Sequence, residues 1–448
     1  MSDCVEQTRV GCSIGGAFTA LAIPGVLPIL HSGSGCLATN EYFLSISNGG
    51  QASFTYRHGA IPSSNLIDED VVFGGLEKLE NVIDKTLEYY DSDLLVVING
   101  CTPALIGDDV AQLLKKYQRS PVPVIHADAP GFKGSNIYGH HEVLKAIIQG
   151  YPFKKSSKGQ GYKEKGLVNI LGFVPSYDPH WAGALEEVQR VLEAVGLKPN
   201  ILYGLGRGIA NVKKLPEAEF SLVLDPWVDT EVAELLTERF QTPVFHYPNL
   251  PIGPTDTSRF LKELAHYAGL NPKRVNDFIK KSEDEYYFYL SRAVQWLYFG
   301  KNSPKKFFVV STSGYALALT KFLVNDLGLA PAALYATDIP ANPDKVADLF
   351  AQELRSLEGG VKANIAIQDD PGVVEEEIKS YLAKELKGSG VHFLFGSSWD
   401  LDLAEDTRSL LVPISAPAAT VVLASHFFGY RGALNLLERI FNQVPNLG

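Results

Sequence analysis

Runs of four or five consecutive apolar residues recur along the chain, each closed by a glycine- or serine-rich turn and followed by an amphipathic stretch. Asp93-Leu-Leu-Val-Val-Ile-Asn99 is the clearest of them. A strand that is apolar on both faces has to be covered on both faces, and parallel sheets sandwiched by helices achieve this. Val26-Leu-Pro-Ile-Leu-His31 and Lys306-Phe-Phe-Val-Val310 have the same form. Their alternation with helical periodicity predicts successive parallel-sheet units joined by right-handed crossovers.

Three such units are expected, over residues 1–160, 161–300 and 301–448, giving an α/β fold of three Rossmann-like domains around a shared interface. In the first, the strand at 93–99 is followed by a helix predicted over Ile106–Lys116, and Pro121–Ala127 by a helix from about His141. The polar stretch Lys154–Gly166 is the best linker. The second unit holds strands at Leu167–Gly172, Pro199–Tyr203, Ser221–Leu224 and Pro243–His246, with a helix over Ala184–Val195 stopped by Gly196. A long helical run, Thr257 to about Tyr298, leads to the third. Its strands are predicted at 306–310, 332–335, 363–367 and 392–395, and an amphipathic helix, Gly429–Phe441, closes the chain.

At 448 residues with a formal charge of −11, the chain is too long for one core and too acidic for a nucleic-acid backbone. No apolar run reaches membrane-spanning length, and the start lacks a signal-peptide pattern, so a cytoplasmic protein with reduced thiols is expected. Each of three cysteines, Cys12, Cys36 and Cys101, falls where a strand or glycine-rich turn gives way to a helix. A lone cysteine is ordinarily a small core residue. Three at equivalent turns are different, because a doubly wound sheet brings all such turns to one edge. With Ser135 at a fourth turn, they can hold half of an iron-sulfur cluster whose remaining ligands come from a second chain.

Other motifs are weaker. Gly204-Leu-Gly-Arg-Gly208 and Ser311-Thr-Ser-Gly314 follow strands but lack nucleotide-fingerprint spacing. Asp108 and Asp109 read as first-turn carboxylates complementing a helix dipole. His140 and His141 are adjacent, which on a helix points them apart.

Several elements together resemble the β-type subunit of the nitrogenase component 1 family. They are Cys12, His31-Ser-Gly-Ser-Gly-Cys36, Asp68-Glu-Asp-Val-Val-Phe-Gly-Gly75, Asn99-Gly-Cys-Thr-Pro-Ala-Leu-Ile-Gly-Asp-Asp109, Phe132-Lys-Gly-Ser135 and Gly429-Tyr-Arg-Gly-Ala-Leu-Asn435. The resemblance implies that Cys12, Cys36 and Cys101 are thiolate ligands of an 8Fe-7S P-cluster shared with an α-type subunit. Cys36 would be the bridging sulfur and Ser135 a redox-dependent oxygen ligand; a smaller 4Fe-4S cluster is the alternative. It further implies an α2β2 heterotetramer, and docking of an ATP-dependent homodimeric iron-sulfur reductase over Phe73. Cys4 matches nothing in the family.

The departures are informative. Asp225 stands where the α-type subunit anchors its iron-sulfur-carbide cofactor with a cysteine, so that cofactor is expected only in the partner. The segments 37–43 and 49–52 differ from the dinitrogenase pattern. The methylthio-alkane reductase group, which cleaves carbon-sulfur bonds, fits best. A dinitrogen-reducing β-subunit and a cofactor-assembly scaffold are the alternatives within the family, and a metal-free α/β binding protein is the alternative outside it.

Overall fold

In the computed structural model, residues 9–36, 38–39, 61–154, 161–294, 304–385, 390–416 and 424–444 are described. Cys4, Leu37 and the segments 40–43 and 49–52 lie outside them.

Three parallel sheets form. The first orders β1 (Val26–His31), β2 (Leu94–Asn99) and β3 (Val124–Asp128) sequentially. The second orders β4 (Glu164–Leu171), β5 (Lys198–Asn200), β6 (Ala218–Val223) and β7 (Val244–His246) as β5-β4-β6-β7. The third contains β8 (Lys306–Ser311), β9 (Ala330–Ala336), β10 (Ile365–Ile367), β11 (Phe393–Gly396) and β12 (Leu410–Pro413), in the order β10-β9-β8-β11-β12. One contiguous hydrophobic core runs through all three units. Leu94, Leu95, Val96, Val97 and Ile98 of the central strand β2 are fully buried, and each contributes on the order of 1.5–3 kcal/mol. That burial is why the strand is legible as an unbroken apolar run.

Proline sits in β1 at Pro28 because β1 is an edge strand, where a missing N–H costs no ladder bond. The outer edge of β1 is covered by the chain at 62–66: Leu30 N–H donates to Pro62 O, Ser64 N–H to Leu30 O and Leu66 N–H to Ser32 O. This strap leads directly into the helix Asp68–Phe73.

Several elements differ from expectation. The helix predicted over Ile106–Lys116 is two short ones, Cys101–Ile106 and Val110–Leu114, broken by Gly107 in the left-handed region. Asp109 caps the second through Gln112 N–H, whereas Asp108 accepts the N–H of Gly75, at the start of the helix Leu76–Tyr89. The long run from Thr257 divides into Gly253–Tyr267 and Pro272–Val294, since Gly269 has φ +59° and Pro272 opens a new helix. Strand β12 is absent from the sequence expectation, because its residues Leu410–Pro413 are few and end on proline. The closing helix, Gly429–Gln443, packs on the helices Gly253–Tyr267 and Pro272–Val294 as well as on β12, so the chain's end returns to the second unit. No helix among the described residues is long and apolar enough to cross a membrane.

Among the contacts that join the first and second units, two differ from the sequence expectation. His140 and His141 do not act apart. His140 Nε2 lies 2.9 Å from Asp229 Oδ1, and the Asp229 N–H donates to His141 Nε2 at 2.9 Å. Adjacent residues reach one partner because one addresses its side chain and the other its backbone. The loop Gly204–Gly208 does not cradle phosphate but abuts the first unit: Gly204 N–H donates to Ala22 O, and Gly208 lies against Pro24. Likewise Ser313 N–H and Oγ both donate to Asp338 Oδ1, so the carboxylate occupies that turn.

The helix Asn136–Gly150 crosses the segment Ser13–Leu21 at glycines. A side chain at Gly139 would collide with the Ser13 carbonyl, and one at Gly16 with the Gly139 carbonyl. Gly139→Ala is therefore expected to cost about 1–3 kcal/mol. Chemical unfolding monitored by circular dichroism measures this, and an unchanged midpoint would remove the crossing as a constraint.

Acid should also destabilise this region. Burial lowers the His141 pKa from 6.5 to about 4, so the folded state favours the neutral ring, which accepts from Asp229. Its stabilisation is complete above pH 6.5 and is lost as pH falls towards 4. In His141→Gln, that part of the pH dependence of stability should disappear.

Candidate metal centre

Because the first sheet is ordered β1-β2-β3, the three turns leaving it lie side by side at its carboxyl edge. Cys36 follows β1, Cys101 follows β2 after Gly100, and Gly131 and Ser135 follow β3. Cys12 comes from the chain before β1 and is brought in by pairing: it forms an antiparallel bridge with Ser135. Asn136 N–H donates to Gly11 O at 2.8 Å, and Gly11 N–H donates to the Asn136 side chain at 2.9 Å. Ser13 Oγ donates to Ala129 O, fixing the other flank of Cys12.

Gly131 stands between two of the sulfurs. A Cβ at that position would lie 2.7 Å from Cys12 Sγ and 3.2 Å from Cys101 Sγ, so only glycine leaves the space around them open. Its N–H donates to Cys101 Sγ at 3.1 Å, and a donor aimed at sulfur tunes the potential of thiolate-bound clusters. Cys101 opens its helix immediately after the N-cap Gly100. Ser135 is the N-cap of the helix Asn136–Gly150, with its Oγ accepting from Ile137 N–H at 3.3 Å. Cys36 is half-buried against the main core, within a helical stretch that opens at Ser34.

None of these three cysteines is in a disulfide; Cys12 is exposed, and Cys101 and Cys36 are partly so. Two large apolar side chains close to them in the chain are exposed, Leu105 by 74% and Phe132 by 60%. Among the described residues, no three His, Cys, Asp or Glu side chains converge so as to hold a single metal ion. Exposed and partly exposed sulfurs instead suit a multinuclear cluster completed from outside. Thiolate sulfur with a hydroxyl oxygen is the donor chemistry of iron-sulfur ligation, so the residues fit such a group.

Sequence reasoning does not reveal how this edge is tied to the surface around Phe73. Phe73 ends the helix Asp68–Phe73 and is 87% exposed, beside Val72 at 73%. The next turn is anchored by Asp108, which accepts the Gly75 N–H at 3.0 Å and contacts His31 Nε2 at 3.0 Å. His31 Nδ1 in turn lies 3.0 Å from Ser64 Oγ in the strap along β1. Burial lowers the His31 pKa, against the opposing pull of Asp108. The signal in the sequence is the histidine at the end of β1, which is polar where the rest of that strand is apolar.

Comparison with known proteins agrees with this architecture. The family model of nitrogenase component 1 type oxidoreductases matches residues 12–444. The nitrogenase molybdenum-iron protein beta chain of Bradyrhizobium diazoefficiens is 23% identical, over 99% of this chain and 85% of that one. One of the polypeptides of light-independent protochlorophyllide reductase from Methylobacterium radiotolerans is 24% identical, over 96% of this chain and 75% of its own length. A solved structure of nitrogenase Cp1 at pH 6.5 superposes with a TM-score of 0.79 at 20% identity, covering 99% of this chain and 94% of that one. The chain is a β-chain-like member of the nitrogenase component 1 type oxidoreductase family.

Proposed function

We propose that this chain is the β-type subunit of a nitrogenase-like two-component reductase and contributes half of an iron-sulfur cluster at the interface with an α-type subunit. The observation that carries this reading is the pair of sulfurs flanking Gly131, with Ser135 paired opposite Cys12. Cys12, Cys36 and Cys101 would be the thiolate ligands and Ser135 the oxygen ligand of an 8Fe-7S P-cluster. When bound, the cluster supplies electron transfer between an ATP-dependent iron-sulfur reductase and the partner's cofactor. The chain's own residues hold the sulfurs in position and direct the Gly131 N–H at one of them. Leu105 and Phe132 would exclude water once a partner covers them. Two such pairs would form an α2β2 heterotetramer, and Phe73 with Val72 would meet the reductase.

The position of Asp225 supports placing the catalytic cofactor in the partner. It lines a cavity of about 50 Å³ between the units, room for about three or four waters and too little for a multi-iron cofactor. For the reaction, we favour reductive cleavage of a methyl thioether, in which two electrons and two protons convert R–S–CH3 into R–H and methanethiol. The support is the departure of segments 37–43 and 49–52 from the dinitrogenase pattern. Purified complex, reductase and ATP should release methanethiol from ethyl methyl sulfide; ammonia from dinitrogen and no methanethiol would select the dinitrogen-reducing reading. Failure with both, together with transfer of cofactor to another protein, would select the assembly scaffold.

Cys101→Ala in the co-expressed complex should strip or degrade the interface cluster, read as iron content and as the spectrum of the reduced cluster. Unchanged values would sink the ligand role. Ser135→Ala should be milder: three thiolates remain, and the lost cap costs about 1 kcal/mol. Phe73→Ala should raise the KM for the reductase about tenfold or more, since exposed aromatic anchors dominate such contacts, with iron content unchanged. An unaltered KM would place docking elsewhere.

A further inference from the structure

Arg9 stands three residues before Cys12 and is 4% exposed; Asp400, its partner across 391 residues of chain, is 2% exposed. One guanidinium nitrogen donates to Asp400 Oδ2 at 2.7 Å and to Ser397 Oγ at 3.1 Å, and the other donates to Asp400 Oδ1. A planar fork on a carboxylate fixes direction as well as distance. The pair therefore joins the segment that enters the first sheet to the turn that leaves β11 in the third.

That turn is shaped around the carboxylate. Asp400 Oδ2 accepts the Ser397 N–H at 2.6 Å, and Ser397 Oγ lies 3.1 Å from the same oxygen. Gly396, the last residue of β11, makes room for it, because a Cβ there would lie 2.3 Å from Asp400 Oδ2. Asp400 is thus held from its own side before Arg9 reaches it.

On the other flank, the Cys12 segment is fastened to the first unit. Gly11 N–H donates to the Asn136 side chain, Ser13 Oγ to Ala129 O, and Gly15 N–H to Cys12 O at 2.8 Å. Three residues of chain span at most about 11 Å, so an anchor at Arg9 limits where Cys12 can lie. We propose that Arg9 is a positioning residue for Cys12, clamped by Asp400 so that the third unit helps to set where the first sulfur of the candidate site stands. A buried ion pair adds little net stability over apolar residues of the same size, but loss of one partner strands a charge. Such a pair suits the specification of position. Its consequence for a cluster rests on the iron-sulfur reading above; the clamp itself does not.

Hydrogen–deuterium exchange of the native complex, read by mass spectrometry, tests the clamp, and the spectrum of the reduced cluster tests its consequence. In Arg9→Met, the hydrogen-bonded amides of Gly11 and Gly15 should exchange about tenfold faster or more, with strand β2 as protected as in the unaltered chain. The spectrum of the reduced cluster should change, because one of its sulfurs is no longer held. Arg9→Lys keeps the charge without the fork and should fall between the two, with exchange about threefold faster; where Arg9→Met does not assemble, Arg9→Lys decides. Unchanged exchange of both amides would overturn the proposal. So would loss of protection that extends equally to β2, which is the mark of general destabilisation. Faster exchange at Gly11 and Gly15 with an unaltered spectrum would support the clamp and count against Cys12 as a ligand, so the two readings fail separately.

Discussion

The backbone pairing of Cys12 with Ser135 is the contact on which the arrangement of the candidate site depends. Without it, the first cysteine would belong to a segment that precedes every strand of its sheet and would have no fixed relation to the others. The pairing is possible because the helix beginning at Asn136 meets the segment Ser13–Leu21 at Gly16 and Gly139, so the two backbones approach more closely than side chains permit. Gly131 repeats this logic one turn away, where its missing side chain leaves the sulfurs of Cys12 and Cys101 a shared open space. Three glycines and one serine thus do for the site what larger residues cannot.

A second constraint is the handling of buried charge. Asp229 is fully buried at the join of the first and second units and is fully engaged: its side chain accepts from His140 and Gly172 N–H, and its own N–H donates to His141. Such a fully satisfied network is rigid, because any rotation of one unit against the other leaves a buried polar group without a partner. The network begins four residues after Asn136, on the helix that Ser135 caps. Placement of the Ser135 turn and of the inter-unit junction is therefore set by the same helix. Asp108 plays the corresponding part at the outer surface, holding Gly75 and His31 together so that the exposed helix ending at Phe73 is attached to the strand that leads to Cys36.

Much of the fold is legible in the sequence because parallel strands buried on both faces leave an unmistakable trace. The run ending at Asn99 is apolar throughout, and the expected bounds of β1 match the observed ones residue for residue. What is not legible has physical causes. The helix after Cys101 breaks at Gly107, a position whose left-handed backbone cannot be distinguished by periodicity from a tolerated helix glycine. Adjacent His140 and His141 converge against expectation, since helical geometry describes side chains only, and one of the two bonds is to the Asp229 backbone. Asp108 resembles a dipole partner in the sequence because its bond to His31 spans 77 residues.

The sequence by itself determined the α/β class, the existence of most strands, and the placing of three cysteines and a serine at strand-to-helix turns. These are local properties, written in apolar periodicity and turn chemistry. Only the tertiary structure decided that Cys12 faces Ser135, that Gly131 separates two sulfurs, that Asp108 joins the Phe73 turn to His31, and that Arg9 is paired with Asp400. Each of those depends on which strand lies beside which and on how closely two helices cross, and such long-range contacts are fixed by packing of the whole core, which no short stretch of residues encodes.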